Sequence, residues 1–71
     1  MEDINYKEID RKSILDYLGS RGGEIKVADV MTNSGANQLR VYPILFELQM
    51  EGKLEVVQAS ELGTPITVKL V

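Results

Sequence analysis

The chain has 71 residues, a formal net charge of −3, and a composition that is 44% apolar and 27% charged. This length accommodates one small domain with a single core, and this composition is typical of a folded globular protein, which excludes a disordered tail or a collagen-like repeat. The sequence has no Cys and no His, which excludes disulfides, thiolate catalysis, Ser-His triads and the common zinc sites.

Enzymatic activity is not expected from the residues that remain. Catalysis would depend on carboxylates, Lys or Tyr in a domain too small to build a deep pocket around them. Glu47 and Glu51 are spaced to share one helix face, which is typical of a solvated surface, and residues 19–23 lack the Lys-Ser/Thr of a phosphate-binding loop. The sequence therefore predicts neither a catalytic site nor a metal or cofactor.

The chain is expected to be soluble and cytoplasmic. No apolar run approaches the ~20 residues needed to span a bilayer. The N-terminus, Met-Glu-Asp, is acidic, whereas a signal peptide begins with basic residues and an apolar stretch.

The first predicted helix, α1, covers residues 6–18 and is apolar on two faces. Ile14, Leu15 and Leu18 have the spacing of a buried stripe, and Gly19 is expected to end the helix. A second set of apolar side chains lies to one side of that stripe at 100° per residue. This second set, the α1 face, consists of Tyr6, Ile9 and Tyr17. Two interpretations stay open: the α1 face packs against a second copy, or residues 1–5 or the final strand cover it.

A short strand and a short helix are expected next. Gly22 and Gly23 favour a turn, and the alternation in residues 24–27 is typical of a very short extended segment. Residues 27–32 have the apolar spacing of a helix of two turns or less. A turn over residues 33–35 follows, with Gly35 placed for the left-handed conformation.

A second long helix is predicted from Asn37, as its N-cap, to Gly52. Val41, Leu45 and Leu48 form its expected core stripe. Pro43 lies inside it and cannot donate a hydrogen bond to the carbonyl of Leu39. The sequence therefore predicts a kink near Leu39, or a helix that restarts at Tyr42.

The end of the chain is predicted to be a β-hairpin. Residues 54–59 and 66–71 are rich in β-branched side chains, and residues 60–65 form a turn-rich loop between them. Alternation places Leu54 and Val56 on one face of the first strand. On the second strand it places Ile66, Val68 and Leu70 together.

Helix, short strand, two helices and a hairpin are the α+β order of a winged helix-turn-helix, in which the hairpin is the wing. Residues 41–54, Val-Tyr-Pro-Ile-Leu-Phe-Glu-Leu-Gln-Met-Glu-Gly-Lys-Leu, resemble the recognition-helix-to-wing junction of PadR-type transcription regulators. Their pattern is close to Leu-Tyr-Pro-x-Leu-x-x-Leu-Glu-x-x-Gly-x-Leu. The Leu-x-x-Leu-x-x-x-Gly part is also similar to the winged domain of the DNA-processing protein A family. The resemblance implies a small DNA-binding regulator of transcription.

Base reading in such folds uses the start of the third helix. Asn and Gln side chains can pair with adenine, and Arg with guanine. The candidates at this position are Asn37, Gln38 and Arg40, with Ser34 and Tyr42 nearby. Lys26 and Arg21, together with Lys12, are candidates for a basic cluster beside Arg40 that would contact double-stranded DNA.

The distribution of charge argues against DNA. Residues 28–67 contain two basic and five acidic residues, and the loop of the hairpin carries Glu61 but no Lys or Arg. Phosphate contacts from basic residues supply most non-specific affinity for DNA. The second hypothesis is therefore a protein-interaction module that binds a protein partner or forms a homodimer. Its surface would be the acidic third helix and wing, or the α1 face.

Overall fold

The computed structural model describes residues 5–71. Within them the fold is α+β, with three helices and a three-stranded antiparallel sheet. In chain order the elements are α1 (Tyr6–Arg21), β1 (Ile25–Lys26), α2 (Val27–Asn33), α3 (Gln38–Met50), β2 (Leu54–Ala59) and β3 (Pro65–Leu70). The predicted order of elements and the C-terminal hairpin are confirmed.

Helix α1 begins where expected and ends one turn later than expected. The side-chain oxygen of Asn5 accepts a hydrogen bond from the backbone N–H of Glu8 and caps the first turn. The expected end at Gly19 is wrong, because Gly19 has no positive φ and the helix continues to Arg21. Gly22, with φ of 68°, ends it, and its N–H donates to the carbonyl of Leu18.

Helix α3 is one continuous helix. The Asn37 side chain accepts from the N–H of Leu39 at 2.8 Å, which confirms the predicted cap. The helix runs through Pro43 without the restart predicted at Tyr42. The residue whose carbonyl loses a donor, Leu39, is highly exposed, so water can satisfy that carbonyl.

The sheet has the strand order β1-β3-β2, with β3 in the centre. Val56 faces Val68, Gln58 faces Thr67, and Ala59 faces Pro65. Val57 is therefore an extra residue on β2, and Ile66 is an extra residue on β3. These two bulges break the alternation on β3.

The bulges correct the expected inward face of β3. Ile66 is 39% exposed, whereas the adjacent Thr67 and Val68 are both buried. The inward face expected for β2 agrees better with the structure, because Leu54 is buried and Val56 is half-buried.

A single core lies between the helices and the sheet. It is formed by one side of α1, by α2, by the inner side of α3 and by one residue from each strand of the sheet. Its buried apolar members are Ile14, Leu18, Ile25, Val27, Val30, Ala36, Val41, Ile44, Leu45, Leu48, Leu54 and Val68. Leu15, from the predicted α1 stripe, packs at its edge.

Candidate functional site

Some of the predicted base-reading residues form a helix cap or a turn, and others are simply exposed to solvent. Asn37 is exposed, and its side-chain oxygen is used as the α3 cap. Gln38 is exposed. The Ser34 hydroxyl oxygen accepts from the N–H of Ala36 at 3.2 Å and so orders the turn before α3.

Arg40 is engaged by α1. Its Nη1 donates to Oδ2 of Asp10 at 2.9 Å, and its guanidinium lies 5.6 Å from the centre of the Tyr6 ring. Asp10 is buried, so the ion pair supplies the hydrogen bond that a buried carboxylate needs. Arg40 therefore joins α3 to α1, although 40% of its side chain remains exposed.

Helix geometry places Arg21 and Lys12 away from Arg40, although both are candidates for a basic cluster beside it. Arg40 reaches α1 at Asp10, and Arg21 lies eleven residues further along the same helix, ~16 Å away at 1.5 Å per residue. Lys12 is two positions from Asp10 and so points ~200° round the helix from it. Lys26 is on β1 and exposed.

Lys26 and Tyr42 come together at a shallow groove between α2 and the hairpin. The groove has a volume of about 270 Å³. Its lining is mostly apolar and consists of Lys26, Val27, Ala28, Met31, Tyr42, Ser60, Thr64, Pro65 and Ile66. Tyr42 is half-buried there and packs against the core.

The acidic residues at the end of α3 are neutralised by α1. Lys7 Nζ lies 2.7 Å from Glu47 Oε2, and Arg11 Nη1 lies 2.8 Å from Glu47 Oε1 and 2.7 Å from Glu51 Oε2. Arg11 also pairs through Nη2 with the second oxygen of Glu51, which makes the contact bidentate, and Lys53 approaches Glu51 at 3.4 Å. We call these five residues the α1–α3 ion-pair network.

The network shifts the titration of its members. The hydrogen bond from Arg11 lowers the pKa of Glu51 to about 2, and the hydrogen bond from Lys7 lowers the pKa of Glu47. The hydrogen bonds that Arg11 donates to Glu51 raise the pKa of Arg11. On the third helix, the surface that the second hypothesis takes as acidic therefore has the charges of Glu47 and Glu51 balanced by Lys7 and Arg11 of α1.

The outer side of α3 is apolar. Leu39 is 87% exposed and Met50 is 88% exposed. Phe46 is 44% exposed, and Pro43 is also exposed. At 100° per residue these four side chains lie within ~60° of one another, opposite the buried Val41 and Leu48. We call Leu39, Pro43, Phe46 and Met50 the outer stripe.

Sequence reasoning missed the outer stripe. Its spacing of four, three and four residues is visible in the sequence, but the apolar stripe predicted on this helix consists only of Val41, Leu45 and Leu48. The predicted core stripe of Val41, Leu45 and Leu48 is buried as expected, but only the tertiary structure shows that the apolar residues on the opposite side stay exposed.

The three residues of the α1 face have separate roles. Tyr17 packs against the core, Tyr6 is 56% exposed and holds Arg40, and Ile9 is 53% exposed. Tyr6 and Ile9 are therefore exposed, as the predicted α1 face requires, whereas Tyr17 is packed against the protein's own core. The suggestion that residues 1–5 cover it falls, apart from Asn5, outside the described residues.

Residues 5–71 contain neither a cluster of metal ligands nor a membrane-spanning helix. Among them, no group of three or more acidic side chains is placed to hold a metal ion. No helix in this part of the chain combines the length and apolarity needed to cross a membrane.

Comparisons with known proteins give no family for the chain. No family model matches it, and searches of curated proteins and of solved structures return no significant match.

Proposed function

We propose that this protein is a small winged-helix interaction module that binds protein through the outer stripe of α3. Three helices followed by a hairpin, with β3 central in the sheet, support the winged helix-turn-helix interpretation of the fold. In such a fold α3 is the helix placed to meet a partner. What it presents here is apolar.

The exposure of Leu39 and Met50 carries this proposal. Burial of a large apolar side chain is worth about 1.5–3 kcal/mol. Apolar side chains find little on DNA beyond the thymine methyl group, whereas they are the usual centre of a protein interface. Contiguous exposed apolar surface on a small domain marks an interaction site.

The basic residues favour the same conclusion. Phosphate binding requires available Lys and Arg side chains near the reading helix. Lys7 and Arg11 are held by Glu47 and Glu51, and the charge of Arg40 is already balanced by Asp10, although part of the Arg40 side chain is exposed. The hairpin loop contributes Glu61 and the exposed Leu62, with no basic residue in residues 60–64.

A photo-crosslinker tests the proposal directly. With a benzophenone side chain at position 39, irradiation in cells is expected to give a protein adduct of discrete mass that disappears when Phe46→Glu is added. The matched control is the same side chain at Leu62, which is 94% exposed in the hairpin loop. Equal adducts from both positions, or none from position 39, would contradict the proposal.

Double-stranded DNA is the second candidate, favoured by the exposure of Asn37 and Gln38 at the start of α3. Direct readout by these amides predicts binding that weakens steeply with salt. A fluorescence titration at ~50 mM salt with duplex DNA decides between the candidates. Binding tighter than ~100 μM that is lost in Gln38→Ala and Arg40→Ala would favour DNA over protein.

A further inference from the structure

We propose that the occupant of the outer stripe is the same stripe of a second copy, packed antiparallel across a two-fold axis. This inference rests on the proposed function, because it names the partner for that surface. Three features of the stripe favour pairing with a second copy. They are the spacing of its residues, the charged residues along its edge and the packing at its centre.

The spacing of the stripe is that of a coiled-coil seam. Leu39, Pro43, Phe46 and Met50 follow one another at intervals of four, three and four residues. In an antiparallel pair centred between Pro43 and Phe46, Leu39 lies opposite Met50 of the second copy. Pro43 then lies opposite Phe46 of that copy. Each contact occurs twice, as an isologous two-fold interface requires.

The rim supplies charge complementarity. Arg40 and Glu47 lie seven residues apart on the same edge of the stripe, the edge that contacts α1. In the antiparallel arrangement this edge faces its own copy, so Arg40 lies beside Glu47 of the second copy at both ends. A parallel pair would instead place Glu47 beside Tyr42 and gain no ion pair.

Both charged groups have capacity left for such contacts. Arg40 presents five N–H donors, and its Nη1 pairs with Asp10 while 40% of the side chain is exposed. Glu47 accepts from Lys7 and Arg11 on separate oxygens and keeps further lone pairs. The other edge places Tyr42 beside Gln49 of the second copy.

The centre of the stripe favours close approach. Pro43 has a short, flat ring and no freedom to lose, so Phe46 of the second copy can lie on it at small entropic cost. In this dimer both α1 helices lie on the side of the two α3 helices that carries Arg40. The exposed part of the Tyr6 side chain therefore lies next to the interface.

The first experiment measures mass in solution. Size-exclusion chromatography with light scattering at ~200 μM is expected to give twice the chain mass of 7.9 kDa, because a small apolar interface binds in the micromolar range. Phe46→Glu is expected to give the monomer. Leu62→Glu, an equally drastic change at the exposed hairpin loop, is expected to remain dimeric.

The second experiment tests the register with charge reversals. Arg40→Glu alone places two acids together at each end, and Glu47→Arg alone places two bases together, so both variants are expected to be monomers. A 1:1 mixture restores opposite charges at both ends and is expected to form a mixed dimer. Circular dichroism of each variant separates loss of pairing from loss of fold.

Three results would overturn the inference. They are a monomeric wild type, a dimer that survives Phe46→Glu but is lost in Ile9→Glu, and single charge variants whose mixture stays monomeric. A monomeric wild type combined with a position-39 adduct heavier or lighter than the dimer would overturn self-pairing alone. The proposed function would then stand with a different protein as partner.

Discussion

Helices α1 and α3 each carry a second apolar face, and the chain treats the two faces differently. On α1, Tyr17 packs against the core, and the ring of Tyr6 lies next to the guanidinium of Arg40. On α3, Leu39 and Met50 remain almost fully exposed. The residues between these helices are charged and paired, so the structure covers the α1 face in part and leaves the outer stripe open to a partner.

This comparison shows what an ion-pair network does for a small domain. Lys7 and Arg11 of α1 form ion pairs near the end of α3. Asp10 of α1 forms an ion pair with Arg40 near the beginning of α3. Helix α3 is thus held to α1 along one edge, and its outer side makes none of these contacts. Its apolar residues there remain exposed.

The largest expected effect separates the inner and outer sides of α3. Leu48→Ala removes a fully buried side chain and is expected to lower the free energy of unfolding by about 2–5 kcal/mol. Leu39→Ala is expected to change it by less than about 0.5 kcal/mol, because the side chain is exposed. Urea unfolding at low protein concentration measures both. A comparable loss in Leu39→Ala would show that the outer stripe is structural.

Arg40→Ala tests whether this residue serves the fold. It leaves the buried Asp10 carboxylate without its donor, and we expect the free energy of unfolding to fall by about 1–2 kcal/mol, since the partly exposed site lets water compensate. The double variant Asp10→Asn with Arg40→Ala should lose less than the sum of the two single changes. Strict additivity in urea unfolding would contradict the pairing.

Acid is expected to loosen the edge between α1 and α3. Glu47 and Glu51 have folded-state pKa values below their ordinary value, to about 2 for Glu51. Depressed carboxylate pKa values stabilise the fold above the unfolded value of ~4.3, and this stabilisation is lost as pH falls through the folded values.

Unfolding followed across pH 7 to 2 measures this loss. Glu51→Gln should flatten the decline below pH ~4.3, whereas Glu61→Gln in the hairpin loop is the matched control and should follow the wild type. High salt should reduce the wild-type decline, because the network is solvent-accessible. An unchanged decline in Glu51→Gln would contradict the assignment.

The smallest expected effect concerns the α1 face. Tyr6→Leu keeps an apolar side chain but removes the ring under Arg40, and we expect a loss of about 0.5 kcal/mol in the free energy of unfolding. In the Arg40→Ala background the same change should have no effect. An equal loss in both backgrounds would mean that Tyr6 acts without Arg40.

Local patterns in the sequence predict the elements of this fold well. Asn37 caps α3 as predicted, and β2 spans the predicted residues. Such features depend on neighbours a few residues apart, which the sequence displays directly. The β3 face was predicted less well, because the extra residues Val57 and Ile66 become visible only when two strands are paired.

The candidate site depends on longer-range contacts, and there the sequence is less informative. Counting charges along residues 28–67 missed that Lys7 and Arg11 neutralise Glu47 and Glu51. Arg40 has the right type and position for DNA, yet the carboxylate thirty residues earlier that holds it cannot be identified from spacing. The sequence pattern predicts the core side of α3 correctly, but the exposure of the apolar residues on its opposite side is seen only in the tertiary structure.

The methyl groups of Met50 and Met31 offer the most direct test of the claim that the outer stripe of α3 binds protein in the form of a second copy. Met50 lies on the outer stripe, and Met31 lies in the groove between α2 and the hairpin. In methyl NMR, raising the protein concentration should shift Met50 and leave Met31 in place, and adding duplex DNA should shift neither. A Met50 signal that ignores concentration and responds to DNA would contradict the account.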